Sequence, residues 1–191
     1  MRKDVVPDHV FTIPDLLTPD ECARHVALSE GNGFEDAPIT TSDGPRMRPD
    51  LRNNARVVLD DVALADSLWS RLAPHVPPVI EGTTPLGLNE RFRCYRYDPG
   101  QTFAWHFDGA YTRPSGERSQ LTFMVYLNDG FEGGETNFDL RYPHGEVTIV
   151  PKAGMALLFV HHLLHEGARI RSGRKYVLRS DVMYTAPARL P

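Results

Sequence analysis

The sequence predicts a mainly β fold, a jelly roll or sandwich with a few flanking helices. Three observations carry that expectation. The 191 residues include 15 glycines and 16 prolines, a turn-rich composition that disfavours a helix bundle. From residue 90 onward, short strand-like runs follow one another between glycine-rich turns, with no helical period among them. Before residue 90, only two segments carry a helical period. With 41% hydrophobic residues, a chain this long can bury roughly 70% of its unfolded surface. One domain over 1–191 is therefore expected, with N-terminal helices and long loops over 1–89 and a β core over 90–184.

The first helix is predicted over 19–30. Thr18 is a good N-cap, Pro19 suits the first helical position, and Glu21 completes a capping box. Cys22, Val26 and Ala27 supply the apolar positions, and Gly31 reads as the stop. A second helix fits 61–72, where Val62, Ala65, Leu68, Trp69 and Leu72 share a face and Pro74 ends the pattern. Residues 38–56 read as a long loop leading into a strand at Ala55, and Pro74 to Gly87 as an irregular connection. Strands are expected at 92–97, 102–107, 120–127, 146–150, 155–160 and 176–184.

Charge narrows the function. Twenty-one Lys and Arg against 25 Asp and Glu give −4, which argues against a general nucleic-acid or membrane-surface binder. Two cysteines, Cys22 and Cys94, make no disulfide framework. The first residues lack the apolar run of a secretory signal, and no stretch reaches 18 apolar residues. A cytoplasmic protein is the expectation.

The eight histidines point further. In His106-Phe107-Asp108, a strand would turn imidazole and carboxylate to one side while Phe107 packs behind. The same pair also reads as a histidine bonded to a carboxylate on a solvated face. His161, His162 and His165 follow the strand at 155–160, Lys175 lies ten residues past His165, and strand alternation puts Arg179 on the Lys175 face. Two histidines and one aspartate on one face of a metal leave three positions open, as suits a non-haem Fe(II) oxygenase. A dicarboxylate co-substrate would fill two of them. Its far carboxylate would need a buried cation, for which Lys175 is placed. Arg179 is the rival, and could instead pair with Asp181.

Longer stretches now make a family visible. Residues 93–108, RCYRYDPGQTFAWHFD, are followed by Leu121 to Asp129, by Gly133-Gly134-Glu135-Thr136-Asn137-Phe138 and by Pro151 to Phe159. His165-Glu166-Gly167 and Gly173-Arg174-Lys175-Tyr176 close the series. In order and spacing this resembles the 2-oxoglutarate- and Fe(II)-dependent dioxygenases, within them the prolyl 4-hydroxylase-like branch. The resemblance implies a double-stranded β-helix over 90–184, supported by the N-terminal helices. It implies His106, Asp108 and His165 as iron ligands, because His165 alone is followed by Glu-Gly and then by a cation at the family distance. It implies Lys175 at the distal carboxylate of 2-oxoglutarate and Tyr97 helping to hold that co-substrate. Hydroxylation with release of succinate and CO2, O2 as co-substrate and dependence on ascorbate are implied likewise.

Other features keep two readings. Tyr97 could simply line a barrel wall, and His161 and His162 read as a strand-end pair that packs or hydrogen-bonds. His9, His25, His75 and His144 read as surface or structural. Arg46, Arg48, Arg52 and Arg56 could hold an anionic or peptide substrate, or belong to a solvated loop with Asp43 and Asp50. The loop 109–119 is placed to act as a mobile lid. Trp105 and Phe103 depart from residues frequent in prolyl hydroxylases, so the substrate, a peptidyl proline or a small molecule, stays open. Rival functions are a cupin-like metal-binding jelly roll with non-oxygenase chemistry and a binding module with a vestigial pocket.

Overall fold

The computed structural model describes residues 1–41, 43–141 and 145–186. Along the chain, β1 (Lys3–Val6) and β2 (Val10–Ile13) precede α1 (Pro19–Asn32), β3 (Glu35–Asp36), β4 (Ile39–Thr41), β5 (Gly44–Arg46) and β6 (Ala55–Asp60). After α2 (Val62–Leu72) come β7 (Pro85–Leu88), β8 (Arg91–Tyr97), β9 (Phe103–His106), β10 (Arg118–Tyr126), β11 (Glu132–Gly133) and β12 (Thr136–Asp139). The chain continues with β13 (Glu146–Ile149), β14 (Ala156–Val160), β15 (Leu164–Gly167), β16 (Ile170–Ser172) and β17 (Lys175–Tyr184).

All pairing is antiparallel. The large sheet has the order β1-β2-β14-β10-β17-β8-β6-β3, with β7 also on β17, and the small sheet runs β13-β12-β15-β9. Strand alternation gives the large sheet two different faces. Leu121, Phe123 and Val125 of β10, Leu178 and Val182 of β17, and Phe92 and Cys94 of β8 pack with Cys22, Ala65, Leu68 and Leu72 of the helices. The intervening residues, among them Tyr95, Tyr97, Tyr126, Leu157, Phe159 and Val177, turn inward with Phe138 and Ile149 of the small sheet. The site described below lies between that inward face and the small sheet.

The helices form for the expected reasons. Thr18 and Glu21 make a reciprocal capping box on α1, and Asp61 accepts from Leu64 N at the start of α2. Several boundaries move. Gly31 stays helical and the stop is Gly33, whose positive φ of 76° suits glycine and whose N–H bonds Glu30 O. Val62 is exposed, so the buried stripe of α2 is Ala65, Leu68 and Leu72. The expected loop at 38–56 contains a β4–β5 hairpin, and the irregular stretch before Gly87 contains part of β7. Strands β1, β2, β12, β15 and β16 had no counterpart among the expected elements. Cys22 and Cys94 are buried free thiols. No helix among the described residues is long and apolar enough to cross a membrane.

Candidate metal and co-substrate site

The pairing of β9 with β15 sets His106 directly opposite His165. Residues so opposed have Cβ atoms about 5 Å apart, and here the two imidazole rings lie 4.2 Å apart between centroids. Fifty-eight residues of intervening chain are thereby cancelled by one register. Asp108 lies just beyond β9, with its N–H bonded to His161 O at 3.1 Å. Its Oδ1 is 3.6 Å from His106 Nε2 and its Oδ2 3.7 Å from His165 Nε2. One donor atom from each of the three lies within 4.8 Å of the others.

Both imidazoles are held by their other nitrogen. His106 Nδ1 bonds Ala104 O at 2.7 Å, and His165 Nδ1 bonds Leu163 O at 2.9 Å. A carbonyl can only accept, so each Nδ1 carries the proton and each Nε2 offers a lone pair toward Asp108. Phe103 stacks on His106 at 3.5 Å, while Phe159 meets the edge of His165 at 4.5 Å. Burial outweighs the pull of Asp108 and brings His165 down to about 4, so this ring is neutral near pH 7. For Asp108, burial opposes ionisation but the Arg179 guanidinium wins, and its carboxyl falls well below the usual carboxylate range. Two imidazoles held by Nδ1 and a carboxylate make the donor set that divalent iron takes.

Asp108 Oδ2 is further engaged. It accepts from Thr122 Oγ1 at 2.6 Å and from Arg179 Nη2 at 2.9 Å. Thr122 in turn meets His161 Nδ1 at 3.0 Å, and His161 Nε2 meets Ser119 Oγ at 2.9 Å. His161 is thus a buried hydrogen-bonding residue, as one reading of the strand-end pair expected, and His162 is exposed. Thr122 was not among the expected site residues. Its neighbours on β10 read as ordinary strand, and only the fold brings it to Asp108.

A buried cation waits deeper in the same pocket. Lys175 opens β17 opposite Tyr97 of β8 and is 3% exposed. Its ammonium donates to Gly134 O at 2.6 Å and lies 5.4 and 5.3 Å from the ring centroids of Tyr97 and Tyr126. No ion pair of Lys175 occurs among the described residues, and burial pulls its pKa from 10.5 to about 7. Room for it is made by Gly134, where an added Cβ would come within 2.5 Å of Ile170 and 3.1 Å of the Lys175 chain. Tyr97, Thr136, Phe159 and Val177 line the pocket between Lys175 and the three clustered donors. Burial pushes Tyr97 up to about 12, so its hydroxyl stays protonated. A buried ammonium without an ion pair among the described residues fits the free carboxylate of a dicarboxylic co-substrate. Arg179 lies on the same face of β17, with its guanidinium taken by Asp108 and, at 3.5 Å, by Asp181.

The outer mouth is an open groove of about 510 Å³, lined by Arg52, Arg93, Trp105, Phe107, Gly109 and Tyr111 among others. Phe107 is 58% exposed in it, because β9 ends at His106 and Asp108 lies beyond the strand; the expected packing of Phe107 behind the motif does not occur. The 109–119 loop bonds within itself and, through Arg113, to Glu90. Arg113 N bonds Glu117 O, Ser119 N bonds Tyr111 O, and Arg113 also pairs with Glu90 and Glu117. Of the remaining histidines, His9, His25 and His75 lie outside the site, and His144 falls outside the described residues.

Residues 92–180 match the model of the 2OG-Fe(II) oxygenase superfamily. The chain is 23% identical to a prolyl 4-hydroxylase 1 of Arabidopsis thaliana and 26% identical to a PKHD-type hydroxylase of Paracoccus denitrificans. Each match covers 87% of this chain, and 66% and 74% of those relatives respectively. A Trichoplax adhaerens prolyl hydroxylase, solved with a hypoxia inducible factor peptide fragment, superposes with a TM-score of 0.69 at 16% identity, over 92% of this chain and 84% of that one. Over residues 92–180 this chain is thus similar to the 2-oxoglutarate- and Fe(II)-dependent oxygenases, and over most of its length to prolyl 4-hydroxylases and PKHD-type hydroxylases.

Proposed function

We propose that His106, Asp108 and His165 hold the ferrous ion of this hydroxylase, and that Lys175 receives the distal carboxylate of 2-oxoglutarate with Tyr97 beside it. The observation that carries the assignment is the His106–His165 register, with Asp108 oxygens within 3.7 Å of both Nε2 atoms and an unpaired buried ammonium in the same pocket. When bound, iron and 2-oxoglutarate supply the oxidising chemistry with O2, and succinate and CO2 leave. The chain's own work is placement. The carbonyls of Ala104 and Leu163 keep the Nε2 lone pairs available, and Thr122 and Arg179 fix the carboxylate. Phe103, Phe159 and Val177 keep water from the pocket. Arg179 acts as the clamp of Asp108, since a co-substrate carboxylate would compete with the ion pairs it already makes.

The substrate enters by the groove of Trp105, Phe107 and Tyr111, and is a peptidyl proline or a small molecule. A peptide is supported by the Trichoplax relative's bound fragment and by the open, aromatic-walled shape of the groove. Two unpaired thiols support a reducing, cytoplasmic setting. Succinate release by the full chain, followed with and without Fe(II), 2-oxoglutarate and a panel of peptides and metabolites, tests the reading. Turnover that survives His106→Ala, or 2-oxoglutarate affinity unchanged in Lys175→Ala, would overturn the respective assignment.

A further inference from the structure

The four arginines of the 44–56 segment differ sharply in their surroundings. Arg46 pairs with Asp43 at 2.9 Å, Arg48 with Asp50 at 2.6 Å and Arg56 with Glu35 at 3.4 Å, all at the surface. Arg52 is 6% exposed and makes no ion pair among the described residues. Its Nε donates to the neutral Asn54 Oδ1 at 2.8 Å, and its Nη2 has no hydrogen-bond partner. The guanidinium lies over the rings of Tyr95, at 4.4 Å, and Phe103, at 4.3 Å. Phe103 is also the ring that stacks on His106.

Its position is fixed by backbone. Arg52 bridges to Phe103, Ala104 N bonds Leu51 O at 2.8 Å, and Thr102 N bonds Asn53 Oδ1 at 2.8 Å. The segment is laced to the strand that carries His106, and Arg52 is a wall of the open groove.

Charge matching then isolates it. Asp108 is matched by Arg179, and Asp181 by Arg93 and Arg179. With 2-oxoglutarate bound as proposed, one carboxylate meets Lys175 and the other the metal. Arg52 remains as a buried cation without a counter-charge. Positive charge is in excess around it: burial raises Tyr95, yet Arg52, Arg179 and Arg93 hold that phenol down at about 8. A buried charge left unpaired is costly, and a planar guanidinium with a free N–H is suited to a carboxylate.

We propose that Arg52 is an anion subsite of the substrate groove, which receives a carboxylate of the hydroxylated substrate beside the iron site. The proposal rests on the co-substrate assignment above, which uses up the other cations. The carboxylate can belong to a free amino acid or to an acidic side chain of a peptide, and the same chemistry serves both.

The test uses the full chain with Fe(II) and 2-oxoglutarate, and reads succinate release. Acceptors are offered in pairs: the free L-amino acids against their primary amides, and peptides containing Glu or Asp against their Gln or Asn counterparts. An accepted acid should exceed its amide in kcat/KM by about tenfold or more. Arg52→Met should bring that ratio close to one. Lys175→Met should leave the ratio in place and raise KM for 2-oxoglutarate. The arm in which the preference appears identifies the source of the carboxylate. A ratio near one in the unmodified protein, or one that survives Arg52→Met, overturns the proposal. Thermal unfolding gives an arm that needs no acceptor. Arg52→Met should hold or raise Tm without ligands, because it removes an uncompensated charge, whereas a fall of more than about 5 °C would mark Arg52 as structural and sink the subsite. Absence of any 2-oxoglutarate-dependent succinate from the unmodified protein is a different result, and would strike the co-substrate assignment instead.

Discussion

The two faces of the large sheet are built from the same strands and do opposite things. On β10, Leu121, Phe123 and Val125 face the helices and are fully buried, while Thr122 faces inward to a carboxylate. On β17, Leu178 and Val182 pack outward, while Lys175, Arg179 and Asp181 point inward and are all buried or nearly so. The outer face gains from every apolar side chain, about 1.5–3 kcal/mol for each large one. The inner face places ionised groups in a dry interior, where pairing repays only part of the desolvation. Period-two alternation lets the fold hold both, so stability and chemistry are separable by mutation.

Removing a ligand should produce the largest effect. His165→Ala should lower turnover by more than about a thousandfold, since it would strip one of the three donors proposed to hold the iron. It should also abolish tight Fe(II) binding by equilibrium dialysis, while the far-UV spectrum stays native. On the opposite face, Phe123→Ala should cost about 3–5 kcal/mol in denaturant unfolding, as a fully buried ring leaves a cavity. If the two variants exchanged phenotypes, the division between faces would be wrong.

Lys175 links the faces to pH. Its ordinary pKa of 10.5 falls to about 7 through burial, so above pH 7 the empty pocket holds a neutral amine. Binding a carboxylate requires the ammonium form, and each 2-oxoglutarate bound must then bring a proton. KM for 2-oxoglutarate should be flat below pH 7 and rise about tenfold per unit above it. In stability the sign is reversed. The unfolded chain binds the proton more tightly, so the ligand-free fold gains stability between pH 7 and 10.5. Lys175→Met should remove both trends, and should raise KM at pH 6.5 by about a hundredfold.

How much of this the sequence discloses depends on whether the signal is local. His106-Phe107-Asp108 and the capping box at Thr18 lie within four residues, so spacing alone suffices to find them. His165 needed its Glu-Gly context, because His161 and His162 are equally close to the strand end. Only the β9–β15 register distinguishes it physically. Arg52 looks like Arg46 and Arg48 in sequence, and differs because residues 51–53 bond to the strand region around Phe103. Thr122 carries no local mark at all, and His161 only its place at the strand end. The strands Val10–Ile13 and Ala156–Val160 are buried on both faces, so they lack the alternation that marks a strand. The second was still expected for its length and its turn signals, and the first was missed. Gly31 and Gly33 differ only in φ, which no sequence displays.

The smallest predicted effect is the sharpest test of the inner face. Thr122 Oγ1 has one proton, and the 2.6 Å contact gives it to Asp108 Oδ2, because a carboxylate can only accept. His161 Nδ1 must then donate to Thr122, and its Nε2 must accept from Ser119 Oγ. Ser119 Oγ in turn accepts from Tyr111 N at 2.9 Å. Every proton along this chain points toward the carboxylate, and the chain begins in the loop that walls the groove. With Thr122 and Arg179 both on Oδ2, Oδ1 is the oxygen left free. Thr122→Val keeps the shape and removes the donor, so Fe(II) affinity and turnover should fall about tenfold, within the range known for partners of metal ligands. Thr122→Ser should restore most of both. If valine were neutral while serine were harmful, Thr122 would be a packing residue, and the position of Asp108 would have to rest on Arg179 alone.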